Sequence, residues 1–242
     1  MSSDDPRTYA SRPLEEQASD QGRPLIYELF VLGELMVQPM SGSFLHETAR
    51  RMLGPFRPLS WGIISPLLHH LEQQGLVTSV IERRQAGLSP AGRGQPPRSY
   101  AITPAGRERF LSLLLTPSAY SRDTPEEFVI KLIKFQFLTP AQRVRVLQWY
   151  RSYQDILRNS YQEARDYVRH NPEITEGERT WIMRSIEYRR HRAQAERSWL
   201  DQQIAVSMQE EENETMRSRR RTQTVPTQAY GEQTDKEGGL TS

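Results

Sequence analysis

The side chains with the most chemical potential in this 242-residue chain are histidines and arginines. His46-Glu47 opens like the ligand pair of a zinc-protease helix, but the second ligand belongs four residues after His46, and Arg50 stands there. His69 and His70 are adjacent, so on a helix they point in different directions and make a poor chelate. The stretch GRGQPP (residues 92–97) lacks the strand-to-helix setting and the Gly-Lys-Ser/Thr ending of a phosphate loop, and there is no G-x-S-x-G elbow. Charge is what remains. Arg83, Arg84, Arg93 and Arg98 frame RRQAGLSPAGRGQPPR, a loop with no acid in it, and guanidiniums without counter-charge suit phosphate oxygens. The expectation is therefore a binding protein, not an enzyme, with no cofactor and no metal.

Composition narrows the partner. Lys plus Arg number 32 against 30 Asp plus Glu, a net charge of +2, so the chain as a whole is no polycation. Placement matters more: residues 22–117 hold ten Arg and six Glu, a net +4 that exceeds the whole chain's balance. Cysteine is absent, which excludes disulfides, thiolate metal sites and a Cys nucleophile and fits a reducing compartment. No run approaches the roughly 20 apolar residues that span a bilayer, so a cytoplasmic location is expected. Lysine occurs only at Lys131, Lys134 and Lys236.

The elements that must position the arginine loop can be read from periodicity. Ile26, Leu29, Leu32 and Met36 recur at helical spacing from Leu25 to Val37, and Pro39 ends that helix. A second helix follows Ser41-Gly42-Ser43, with Leu45, Ala49, Met52 and Leu53 on one face and Gly54-Pro55 as its stop. The third, SWGIISPLLHHLEQQGLV from Ser60, turns Ile64, Leu68 and Leu71 inward and closes at Gly75. Its Pro66 sits where an interior helical bond is expected, so the first turn is read as loosened and regular packing as starting at Leu67. LVTSVIE and SYAIT then read as two strands around the arginine loop, and Thr103-Pro104 starts a fourth helix. Three helices, a strand, a basic loop and a strand form the layout of a winged helix-turn-helix, whose third helix enters the major groove while the loop forms the wing. The same layout also serves protein–protein contact. Loss of affinity with salt, or on removing the wing charges, separates the two.

The spacing Ser60, Gly62, Ile64, Pro66, Leu68, Leu71, Glu72, Gly75, Leu76, Val77 resembles the third helix of PadR-type transcriptional regulators. YELFVLGEL (Tyr27 to Leu35) is similar to that family's opening helix, and RSYAITPAGRERF (Arg98 to Phe110) to its return strand and next helix. The chain departs from the family's pattern in two places. Ser41-Gly42-Ser43-Phe44 stands for a His-Gly-Tyr-Glu-like start, and Ile63-Ile64-Ser65-Pro66 for Thr-Leu-Tyr-Pro, so two aromatic hydroxyls are absent. The resemblance implies a dimeric regulator of transcription, a repressor of a palindromic operator, that dimerises through C-terminal helices and takes a small hydrophobic or phenolic effector. Expected contacts with double-stranded DNA are Ser43, Ser60, Trp61, Ile63, Ser65 and His69, with Arg83, Arg84, Arg93 and Arg98 on phosphates.

The remainder reads as helices. Thr124-Pro125-Glu126-Glu127, Thr139-Pro140-Ala141-Gln142 and Thr175-Glu176-Gly177-Glu178 are start signals with Thr as N-cap. The middle helix carries Val146, Tyr150, Tyr153, Leu157, Tyr161, Ala164 and Val168 in a near-heptad seam, and the last has sparse apolar positions from Trp181 to Ile204. Narrow stripes on long helices call for a partner surface, met by a hairpin within the chain and by a homodimer. The organisation expected is mainly α with a small β-hairpin wing: a disordered arm (1–23), a winged helix-turn-helix (24–117), a helical dimerisation and effector part (118–207) and a disordered acidic and Arg-rich tail (208–242).

Overall fold

The computed structural model describes residues 14–53, 59–81 and 98–223. The order is α1 (Leu14–Leu35), β1 (Met40–Ser41), α2 (Gly42–Met52), α3 (Trp61–Gln73), β2 (Val77–Ile81), β3 (Arg98–Ile102), α4 (Pro104–Leu115), α5 (Thr124–Ile133), a 3-10 turn (Phe135–Phe137), α6 (Pro140–His170) and α7 (Glu176–Gln223). It is the mainly helical architecture with a small antiparallel sheet that the sequence implies. The sheet order is β1-β3-β2, with Met40 opposite Tyr100, Val77 opposite Ile102 and Ile81 opposite Arg98. β1, two residues long, carries no periodicity of its own and is absent from the sequence reading.

Local chemistry sets the ends of these elements. Ser41 caps α2, its hydroxyl accepting from the Phe44 N–H, and Thr103 caps α4 through the Gly106 N–H. Thr139 and Gln142 form a reciprocal capping box at α6. At Thr124-Pro125 the reading is one residue off: Asp123 is the N-cap of α5, and the buried Thr124 hydroxyl accepts from the Ser121 N–H instead. After α3 the Leu76 N–H reaches the Leu71 carbonyl and the Gly75 N–H that of Glu72, with Gly75 at φ 70°. The Leu76 carbonyl next receives the Thr103 N–H and hydroxyl, and a Cβ on Gly106 would lie 2.0 Å from it. Only glycine admits that crossing of α4 over the turn that follows α3.

Three expectations need correction. Helix reaches further toward both ends than the apolar periodicity marks: among the described residues α1 begins at Leu14, and α7 continues through the acidic and Arg-rich stretch to Gln223. Low apolar content suggested disorder there, but Leu, Glu, Gln, Ala and Arg have high helix propensity, and extending an anchored helix requires no new nucleus. The first turn of α3 is also regular. Ile63 and Ile64 N–H groups both reach the Ser60 carbonyl, and Ile64 is already fully buried, so core packing precedes Leu67. Pro66 and Gly62 are both exposed, so water can take the carbonyl that the proline leaves without a donor.

Among the described residues an apolar core runs from Ile26, Leu29 and Phe30 past Leu68, Leu71 and Phe110 to Phe128, Tyr150 and Leu200. Two of the chain's three lysines lie in it. Lys134 Nζ donates to Glu34 Oε1 at 2.6 Å, both side chains buried, and joins α1 to the segment after α5. Lys131, 1% exposed, donates to the Thr116 carbonyl at 2.8 Å, pairs with Glu127 at 3.0 Å and stands over the Trp149 ring. Burial holds its ammonium pKa below the usual lysine value, and the Glu127 carboxylate opposes that shift. Lys134→Met should lower unfolding stability by about 3–5 kcal/mol, because Glu34 stays buried without its counter-charge. Changing Glu34→Gln in the same chain should recover most of the loss, as read by urea unfolding.

Candidate nucleic-acid interface

The site is built on α3 and what braces it. Ile64, Leu68 and Leu71 fix one side of the helix in the core. The opposite side presents Gly62, Ser65, Pro66, His69 and Gln73, all exposed, with Trp61 on one flank and Ile63 on the other. Trp61 is 52% exposed and Ile63 37%, unusual for large apolar side chains that have a core within reach. Ser60, the N-cap, makes no side-chain cap bond, so its hydroxyl is available to a ligand. His69 and Gln73 are one turn apart and hydrogen-bonded at 3.0 Å, which aligns an amide and an imidazole along the outward face.

α2 sets the direction of Trp61. A Cβ on Gly42 would lie 2.8 Å from the indole ring, and the His46 ring meets Trp61 edge-on, centroids 6.3 Å apart. Ser43 is exposed on the same helix end, its hydroxyl 3.0 Å from that of Ser41. The structure thus sets Ser60, Trp61, Ser65 and His69 on the exposed side of α3, with Ser43 exposed at the start of the adjoining α2 and Ile63 on the far flank. Arg98 is exposed at the start of β3, at the base of the wing. Arg83, Arg84 and Arg93 lie outside the described residues.

Sequence reasoning missed four neighbours. Phe44, 51% exposed, follows Ser43 on the first turn of α2. Gln73 extends the α3 face by a turn. Arg50 and Arg51, on the last turn of α2, both bond the Glu47 carboxylate and hold its pKa down at about 2. A helical wheel of α2 with Leu45 and Ala49 placed inward shows Phe44 pointing away, which was the available signal. No such signal marks Arg50 and Arg51, because Glu47 neutralises part of their charge.

Glu72 ties the helix to the wing. Its carboxylate accepts the Ser79 backbone N–H at 3.1 Å, across from α3 to β2. Hydrogen bonding from Ser79, the side chain first, holds its pKa below the ordinary value; desolvation opposes this, and the backbone N–H and Arg98 add to it. This bond ties the second half of α3 to β2.

Among the described residues no group of three His, Asp or Glu side chains is placed to hold a metal ion, and no helix is long and apolar enough to cross a membrane. No protein-family model and no curated protein matches the chain. Solved structures do. Bacillus subtilis PadR in complex with operator DNA is 16% identical, at TM-score 0.34 over 75% of this chain and 97% of that one. The same protein with p-coumaric acid is 16% identical, at 0.33 over 75% and 98%. The Vibrio cholerae virulence activator AphA is 22% identical, at 0.31 over 74% and 95%. Likeness this loose decides nothing about the site.

Two outcomes follow from the geometry. Gly42→Ala should leave the fold intact while pushing Trp61 aside, seen as a changed indole environment in fluorescence and a weakened DNA complex. The Glu72 pKa is lowered on folding, so its contribution is complete above the unfolded carboxylate value and fades as pH falls through the folded one. The stability advantage of wild type over Glu72→Gln should be constant above about pH 5 and shrink below about pH 4.

Proposed function

We propose that the chain is a dimeric DNA-binding transcriptional regulator of the PadR type, acting as a repressor and not as an enzyme. Residues 24–117 read a palindromic operator and residues 118–207 dimerise. The observation that carries this is the outer face of α3: a helix locked on one side by Ile64, Leu68 and Leu71 holds hydroxyl, imidazole, amide and indole groups out to solvent beside an antiparallel hairpin. A helix so held fits the major groove, with Ser65, His69 and Gln73 at base edges and Trp61 and Ile63 against apolar groups such as the thymine methyl. Ser43, Ser60 and the wing arginines, Arg83, Arg84, Arg93 and Arg98, take phosphates.

Dimer formation is supported by apolar groups that a lone chain leaves in water. α6 and α7 pair antiparallel through Arg197–Asp155, Arg151–Asp201 and Arg143–Glu210. Away from that seam Ile156, Tyr167, Trp181 and Tyr188 are 51–67% exposed. Trp181 lies away from the α6–α7 seam with Arg184 4.8 Å from its ring centroid. A second copy covering these residues would bring two α3 helices to one operator, as a palindromic site requires.

The effector has a candidate cleft. A space of about 320 Å³ lies between the end of α4 and α6, lined by Leu115, Pro117, Lys131, Arg145, Val146 and Trp149. An aromatic wall with two cations suits a small phenolic acid. Lys131 also bonds the Thr116 carbonyl, so an anion drawn to it acts on the α4–α5 connection. Binding that favours one spacing of the two α3 helices shifts the population away from the operator-bound form.

Trp61→Ala with Ser65→Ala should weaken operator binding by about 1–3 kcal/mol more than non-specific DNA, in anisotropy titrations at fixed salt. Equal losses on both would remove α3 from base reading. Each wing arginine changed to Ala should reduce the slope of log K against log salt by about 0.9, whatever the DNA sequence. A binding partner indifferent to salt would point to protein contact instead. A monomer in sedimentation at micromolar concentration would end the dimer reading.

A further inference from the structure

A second cleft, between α6 and α7 beside the start of α5, carries charge of both signs. Its volume is about 210 Å³, and it is lined by Tyr153, Leu157 and Tyr161 on α6 and by Arg189, Arg192 and Glu196 on α7. Among the described residues its lining comes from α5, α6 and α7 alone, whereas the Lys131 cleft takes in the end of α4.

Glu196 is held by neutral donors. The Tyr150 hydroxyl donates to its Oε2 at 2.6 Å and the Gln154 amide to the same oxygen at 2.5 Å. Burial foremost, and then the bond to Glu196, push the Tyr150 phenol above its ordinary pKa, so it stays a donor and leaves the charge on the carboxylate. Phe128 stacks on Tyr150 with ring centroids 3.9 Å apart, and Tyr150 on Tyr153 at 5.7 Å, which steadies that hydroxyl. The other carboxylate oxygen, Oε1, accepts from no described residue and is reached by solvent. Glu196 is thus oriented through one oxygen and open on the other.

The arginines are open too. Arg192 stands one turn before Glu196, a spacing at which ion pairs form along a helix, yet neither it nor Arg189 pairs with a carboxylate among the described residues. Further along the same seam such pairs do close, Arg197 with Asp155 and Arg151 with Asp201. An anion entering the cleft meets Glu196, and a cation meets the arginines; a molecule that carries both charges satisfies both ends. Arg192 and Glu196 are about 6 Å apart along α7, a separation that two long side chains can bridge to a carboxylate and an ammonium borne on one carbon. Tyr153, Leu157 and Tyr161 offer the apolar remainder a wall.

We propose that this cleft binds a free aromatic amino acid, its ammonium on Glu196, its carboxylate on Arg192 and Arg189 and its ring against the α6 tyrosines. The site is separate from the Lys131 cleft and requires neither DNA reading nor a second copy of the chain. A bound molecule adds a bridge between α6 and α7 beyond the bonds that Glu196 makes.

Calorimetric titration of the full chain, without DNA, with L-phenylalanine, phenethylamine and hydrocinnamate tests this, since the last two lack the carboxylate and the ammonium in turn. L-Phenylalanine should bind once per chain and at least about tenfold more tightly than either. Glu196→Gln should weaken L-phenylalanine by about tenfold or more and strengthen hydrocinnamate. Arg189→Gln with Arg192→Gln should weaken L-phenylalanine as much and strengthen phenethylamine. Opposite responses of the two single-charge probes are a result that a merely structural role of these residues would not give. Arg145→Gln, on the wall of the Lys131 cleft, should leave L-phenylalanine binding unchanged, so the two clefts are judged separately. Should Glu196→Gln fail to fold, the ranking of the three probes on the unchanged chain still decides. No binding of L-phenylalanine at millimolar concentration, equal affinity for all three probes, or loss of L-phenylalanine in Arg145→Gln would overturn the proposal.

Discussion

The buried pair of Lys134 with Glu34 is the contact on which the rest of the architecture turns. It joins α1, the helix that backs α2 and the sheet, to the segment that leads into α6, and its length of 2.6 Å admits little slack. A buried ammonium and carboxylate hold together only while both are present and well placed. Lys134 packs closely on Gly33, and three residues earlier Lys131 is tied to the Thr116 carbonyl at the end of α4. Two buried lysines in a chain that otherwise uses arginine suit this spot, where a compact ammonium on a flexible stem is easier to enclose than a planar guanidinium. Through them the helical half and the winged half share one core.

That shared core gives the outward face of α3 its meaning. Ser65 and His69 are held in place by Ile64, Leu68 and Leu71 beneath them, and Trp61 by Gly42 and His46 beside it. Glu72 carries the same helix into the wing through Ser79. On the proposed reading, a ligand at the Lys131 cleft and a ligand at α3 would act on opposite ends of a connected set of packed groups, as coupling between sites requires.

Much of this was legible in the sequence where a local rule operates alone. Thr103, Thr139 and Ser41 announce their helices because capping is a short-range hydrogen-bond requirement, and the inward set Ile64, Leu68, Leu71 follows from helical spacing. What escaped depends on distant residues. Nothing near Lys134 in the chain says that Glu34 awaits it, and nothing near Trp61 says that Gly42 will make room for its ring. Of the sparse apolar positions read along α7, Ile186, Ala193 and Leu200 are buried while Trp181 is left exposed, a division that spacing alone does not make. The ends of α1 and α7 escaped for a third reason: helix propensity carried a polar sequence past the point where an apolar face would have ended. The arginine loop remains a sequence expectation beyond Arg98.

The proposed function puts two copies of α3 in successive major grooves of one operator. Hydroxyl-radical footprinting on DNA fragments that the full chain retains from genomic DNA tests it directly. Two protected patches related by a dyad are expected, with centres about 10 base pairs, or a multiple of that, apart. A single patch without symmetry, or no retained fragment better protected than bulk DNA, would contradict it.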